Sequence, residues 1–121
     1  AGVLANFAAY REGGPWLDAA VEYLRENRLL FASTLRELAP EITVTVPEAT
    51  YLSWLNFSAV PGVVGGGEVA LRLVDEARVG LNEGTTFGEG LSAFARANLA
   101  TSRSLVVELA TRIGTWAAAQ R

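Results

Sequence analysis

The stretch Ile42-Thr43-Val44-Thr45-Val46-Pro47-Glu48-Ala49-Thr50-Tyr51-Leu52-Ser53-Trp54-Leu55-Asn56-Phe57 decides the fold. Residues 42–46 are β-branched throughout and alternate apolar with polar, the pattern of a half-buried strand. Pro47-Glu48-Ala49 reads as a turn. Residues 50–57 then form a second strand, with Tyr51, Ser53, Leu55 and Phe57 on one face and Leu52, Trp54 and Asn56 on the other. Strands joined by so few residues pair antiparallel, because a parallel pair needs a crossover of a dozen residues or more.

Upstream, residues 3–11 read as a short amphipathic helix carrying Val3, Leu4 and Phe7, ended by Glu12-Gly13-Gly14-Pro15. Pro15 suits the first turn of a second helix, where its missing N–H costs nothing. That helix runs to about Leu38, with Trp16, Ala20, Tyr23, Leu24, Asn27, Leu30, Phe31, Thr34, Leu35 and Leu38 on one stripe and charged residues opposite. Pro40 stops it. Downstream, Ser58 to Gly67 reads as a flexible loop. Residues 68–78 form a helix with Val69, Ala70, Leu73, Val74 and Ala77 inward. Residues 79–82 form a short strand, 83–90 a Gly-rich loop and 92–98 a strand. Thr101 or Ser102 caps a last helix with Leu105, Val106, Leu109, Ile113 and Trp116 inward. The order α-α-β-β-α-β-β-α places strands in adjacent pairs. The expected fold is therefore α+β in two layers, a small, mostly antiparallel sheet with helices on one face. No internal repeat or domain boundary interrupts it.

The chain has 121 residues, half of them hydrophobic, 19% charged, with a net charge of −3. That suits one packed domain with a single core. The longest apolar run is far short of a membrane span, and there is no signal-peptide pattern, so a soluble, cytoplasmic protein is expected. The cations are scattered, which disfavours nucleic acid and acidic membrane surfaces as partners. The chain has no Cys, no His and no Lys; all ten cations are Arg. Thiol nucleophiles, imidazole bases, the usual zinc ligands and a lysine Schiff base are therefore excluded within it. A small independent hydrolase falls with them. The lack of any Met implies a processed or severed piece of a longer polypeptide.

Several segments are more specific. Gly13-Gly14-Pro15-Trp16-Leu17-Asp18, Tyr23-Leu24, Asn27 and Pro47 to Leu55, then Val79-Gly80-Leu81-Asn82-Glu83-Gly84, Phe87-Gly88-Glu89-Gly90 and Phe94 to Ala100 occur in an order that resembles the cystathionine β-lyase-like branch of the class I/II aminotransferases. The resemblance covers essentially the whole chain and is to the C-terminal small domain, with residues 1–14 as interdomain helix and hinge and 15–121 as the domain proper. It implies a homodimer of two-domain subunits using pyridoxal phosphate (PLP). The lysine and most phosphate contacts would lie in an N-terminal large domain, absent here. The small domain would supply an arginine for the α-carboxylate of an amino-acid substrate, and the matching position is Arg96. Full enzymes of this branch transaminate amino acids or cleave C–S bonds by β-elimination, and no residue here chooses between the two. Without the lysine, this chain alone is expected to be inactive and to bind no PLP.

A planar guanidinium can fork onto a carboxylate through two parallel hydrogen bonds. Read from spacing alone, Arg96 is an ordinary strand arginine in an ion pair. The resemblance turns it into the carboxylate residue. Asn98, two residues on along the same face, is a candidate partner that orients Arg96; the ordinary reading is a strand-end hydrogen bond to backbone. Gly84, Gly88 and Gly90 lack the spacing of a dinucleotide or phosphate loop and are expected to be turns needing positive φ. Gly65-Gly66-Gly67 reads as linker. Tyr51 and Trp54 could line a cleft, although core packing is the usual fate of strand aromatics. The apolar face of residues 1–12 is expected either to fold back differently or to pair with another copy. The rival reading is a stand-alone regulatory or interaction domain that has kept this fold without chemistry.

Overall fold

The β-branched run and its partner pair as expected, and they lie at one side of a four-stranded sheet. The structure, a computed structural model, describes residues 1–121. Its elements are α1 (Gly2–Glu12), α2 (Gly14–Leu38), β1 (Thr43–Thr45), β2 (Leu52–Asn56), α3 (Val69–Arg72), β3 (Asn82–Glu83), β4 (Phe94–Asn98) and α4 (Arg103–Ala118). A π turn, Leu73–Ala77, continues α3, and a 3₁₀ turn, Gly84–Phe87, follows β3. The strand order is β1-β2-β4-β3 and every pair is antiparallel.

The register sorts the side chains into two faces. Val44, Leu55 and Ala95 lie in one cross-strand row, with Ser53 beside Ala97 in the next, and all five are buried under α2 and α4. Small residues at Ser53, Ala95 and Ala97 leave room for the helices to approach. Phe31, Leu35, Phe57, Leu99, Val106 and Ile113 complete the centre of the core at 0% exposure. Each large side chain buried there stabilises the fold by about 1.5–3 kcal/mol. Asn27 is buried among them because it has polar work to do. Its Nδ2 donates to the carbonyls of Leu99 (3.2 Å) and Thr101 (3.0 Å), fastening α2 to the chain entering α4.

The stripe expected on α2 is fully buried only at Asn27, Phe31 and Leu35; Ala20 and Leu24 are half-buried, Leu38 is exposed at the far end, and Trp16 is 75% exposed. The reason is length. At about 1.5 Å per residue, the 25 residues of α2 outrun the 16 of α4. Tyr23 lies where the overlap begins, and its hydroxyl accepts the Arg103 N–H at 2.8 Å. Ser102 holds the N-cap position as expected, but its hydroxyl pairs with that of Ser104, so Tyr23 satisfies the helix end instead. In the π turn that continues α3, Val74 faces outward, against expectation, and Arg78 ends the turn in the left-handed region at φ 56°. Leu105, expected inward, is exposed on the first turn of α4. The 58–67 segment is no slack linker. Val60 and Val63 plug into the core, and Arg72 Nη1 donates to the Gly62 carbonyl at 2.8 Å. Helix α1 does not fold back on the core, and none of its residues is buried. No helix is long and apolar enough to cross a membrane.

One pH dependence follows from the packing. The Glu76 carboxylate accepts the Trp116 indole N–H at 2.7 Å and the Arg72 Nε–H at 3.2 Å. The indole bond first, then the guanidinium, holds its carboxyl below the usual range. A carboxyl depressed in the folded state adds stability that is complete above its unfolded pKa and is lost as pH falls through the folded value. Thermal midpoints measured from neutral pH downward should therefore drop in acid. The drop should be shallower in Glu76→Gln. An unchanged acid slope in that variant would assign the loss to other carboxylates, such as Glu41 beside Arg121.

Candidate functional site

The face of the sheet away from the helices carries no helix; the Gly84–Phe87 turn lies over part of it. The register places Thr45, Trp54, Arg96 and Asn82 in one cross-strand row on it. Thr43, Asn56 and Phe94 form the row on one side, and Leu52 with Asn98 the row on the other. Arg96 sits at the middle of this surface because β4 alternates: Ala95 and Ala97 go inward to the core, which turns Arg96 outward.

The guanidinium of Arg96 is fixed from two sides. Its Nη2 donates to Asn82 Oδ1 at 3.2 Å. Its Cζ lies 4.7 Å from the centroid of the Phe87 ring, a cation–π contact. Phe87 meets Trp54 edge-on at 5.4 Å, and Trp54 stacks on Phe94 at 5.9 Å. Trp54 is therefore half-buried in an aromatic shelf on the open face, a correction to the expectation of core packing. Tyr51 is exposed at the strand's start. No acid neutralises Arg96: the five ion pairs of the chain all use other arginines. Its Nε is buried with no acceptor.

Asn98, expected as a candidate orienting partner, instead has its Oδ1 accepting the Ala100 N–H at 2.9 Å, where β4 ends. The residue on the guanidinium is Asn82, which the sequence reading passed over. Its signal was available in the pairing of residues 79–82 with 92–98, since register alone puts an amide beside Arg96. Of the glycines, Gly90 takes positive φ (78°), whereas Gly84 does not and serves close approach instead. A Cβ there would stand 2.1 Å from the Leu91 carbonyl oxygen and 2.5 Å from that of Phe94. That approach seats the 3₁₀ turn on β4 and carries Phe87 over Arg96.

The face is a wall, not a pocket. The hollows on the surface are lined by other residues, one of them by Tyr10, Trp16 and Leu17 at the bend between α1 and α2. No group of His, Cys, Asp or Glu could hold a metal ion. Nor do the residues present fit PLP as a resident group. The chain has no lysine to bond the cofactor's aldehyde, and the open face offers one guanidinium and amides with no acid among them. Such a set suits a carboxylate presented from outside.

No protein-family model matches the chain. Among curated proteins it is 34% identical over 111 residues to cystathionine beta-lyase PatB of Bacillus subtilis, covering 92% of this chain and 28% of that protein. It is 35% identical over 112 residues to the cystathionine beta-lyase of Corynebacterium glutamicum, covering 93% of this chain and 29% of that protein. Among solved structures it superposes on the PLP-bound C-S lyase of Staphylococcus hominis in complex with the inhibitor L-cycloserine. The TM-score is 0.83 at 26% identity, over 93% of this chain and 29% of that one. The chain thus spans under a third of the length of the relatives it matches. The agreement of sequence and fold places it: the chain belongs to the cystathionine β-lyase-like (C–S lyase) branch of the class I/II PLP-dependent aminotransferases and corresponds to their C-terminal small domain.

Proposed function

We propose that this chain forms the substrate-carboxylate wall of a PLP-dependent C–S lyase or aminotransferase acting on amino acids, with Arg96 gripping the α-carboxylate. The observation that carries this reading is a guanidinium held in place on an open sheet face with no acid to neutralise it. A large domain, with the lysine and the cofactor, would close against this face in a homodimeric whole protein. The carbon chemistry would belong to PLP. The part played by this chain is recognition. Arg96 would offer two parallel N–H donors to the carboxylate, and the Phe87–Trp54–Phe94 shelf would exclude water beside them, which strengthens a charged pair. Asn98 would bracket the far end of the same face. Alone, the chain is inactive for want of a lysine.

The test is kinetic and uses the whole protein. Arg96→Ala should lower kcat/KM for an amino acid about 10–100-fold, chiefly through KM, since a hydrogen bond to a charged group is worth about 1.5–3 kcal/mol. It should also abolish the preference for the free acid over its amide. Arg96→Lys keeps the charge without the fork and should fall between. For the 121-residue chain by itself, calorimetric titration with a free amino acid should show no sub-millimolar binding. One exposed arginine–carboxylate contact gives about 1 kcal/mol or less, while a Kd of about 1 mM needs roughly 4 kcal/mol. Wild-type KM and acid preference in Arg96→Ala would overturn the assignment.

A further inference from the structure

Arginine side chains on open strands ordinarily sample several rotamers, and a carboxylate that must freeze one gives up affinity to do so. The surroundings of Arg96 remove most of that freedom in advance. Strand β3 is only two residues long, yet its register sets Asn82 directly beside Arg96, with Trp54 directly across on β2. The residue after β3 is Gly84, whose lack of a side chain lets the 3₁₀ turn lie close against the Leu91 and Phe94 carbonyls at the start of β4. Three residues on, that turn sets the Phe87 ring against the guanidinium, 4.7 Å from Cζ to the ring centroid, and Trp54 meets the same ring at right angles with 5.4 Å between centroids. One N–H of the guanidinium is occupied by Asn82, and one of its faces is covered by Phe87.

The chemical identity of the bracing groups matters as much as their position. Asn82 accepts a hydrogen bond but carries no charge, and a benzene ring attracts a cation without neutralising it. An aspartate at position 82 would hold the guanidinium equally well and would satisfy its charge permanently, in competition with any incoming carboxylate. From this pairing of firm geometry with neutral partners, we infer that Asn82 and Phe87 are positioning residues. They pre-orient Arg96 for a substrate carboxylate while leaving its charge unspent. The inference rests on the carboxylate reading of Arg96 given above and adds the residues through which that arginine is tuned.

The experiment compares five variants of the PLP-loaded whole protein by steady-state kinetics, with thermal midpoints recorded for each. Asn82→Asp is nearly isosteric. It should raise KM about fivefold or more, because a charge-assisted hydrogen bond is roughly twice as strong as a neutral one, and should leave kcat and the midpoint close to wild type. Asn82→Ala should raise KM by less. Phe87→Leu keeps an apolar side chain but loses the π face and should raise KM about 2–5-fold, the scale of an exposed cation–π contact. Phe87→Tyr should restore the wild-type value. Arg96→Ala is the reference. If Arg96→Ala itself keeps a wild-type KM, the carboxylate reading fails and takes this inference with it. If Arg96→Ala is impaired while Asn82→Asp and Phe87→Leu match wild type, the positioning inference alone is overturned. A loss of kcat and midpoint together in Asn82→Asp would also overturn it, since that is the signature of a merely structural residue.

Discussion

Gly84→Ala is expected to destabilise the domain by about 3 kcal/mol or more, at the upper end for overpacked sites. The added methyl would meet the Leu91 oxygen at 2.1 Å and the Phe94 oxygen at 2.5 Å. Both are backbone atoms, so no side chain can swing aside. The Leu91 carbonyl also accepts the Phe94 N–H at 3.0 Å, the turn that starts β4, so moving it disturbs the strand that bears Arg96. Against a total stability of about 5–15 kcal/mol for an ordinary domain, the shift should be plain in a denaturant titration. Gly80→Ala is the matched control: nothing lies within 4 Å of its added Cβ, and its φ is not positive. That change should stay within about 0.5 kcal/mol. A Gly84→Ala protein that unfolds at the wild-type midpoint would mean that β4 and the 3₁₀ turn can part at little cost.

Phe57→Ala should cost about 3–5 kcal/mol, the range for deleting a buried aromatic. Phe57 is fully buried at the exit of β2, and its ring meets that of Trp116 edge-on at 6.1 Å. Trp116 is held by its hydrogen bond to Glu76 and lies beneath Arg72, so it cannot collapse into the space left behind. The cavity term should therefore be near its full value. Urea titration would read the loss, and Phe57→Leu should recover most of it by refilling the volume. If Phe57→Ala costs under about 1 kcal/mol, the neighbouring side chains relax far more than their fixed hydrogen bonds suggest.

Much of the architecture was legible because its signals are local. The alternation of residues 42–46 and 50–57, Pro15 and Pro40 around α2, and the periodicity of residues 103–118 each name an element without help from the rest of the chain. What was not legible depended on which partner covers which surface. Residues 52–57 offer Leu52 and Trp54 on one side and Leu55 and Phe57 on the other; both sides are apolar, so period alone could not say that Trp54 would remain on the open one. The length mismatch between α2 and α4, which strands Trp16, needs both helices in place. The π turn in which Val74 faces outward has no simple pattern in Leu73-Val74-Asp75-Glu76-Ala77. At the site, Arg96 was reached through resemblance, whereas Asn82 required the register. A glycine placed for close approach looks the same in sequence as one placed for positive φ, so Gly84 and Gly90 could be told apart only by their neighbours.

The two outer strands of the sheet, β1 and β3, are three and two residues long. Exposed strand edges are templates on which other chains can polymerise, and edges this short offer only a few free backbone groups each. Growth by strand addition is therefore blocked at both margins. Association of this domain with another protein surface is left to side chains, on the open face around Arg96 or on the uncovered first turns of α1 and α2, where composition and not backbone hydrogen bonding decides what is accepted.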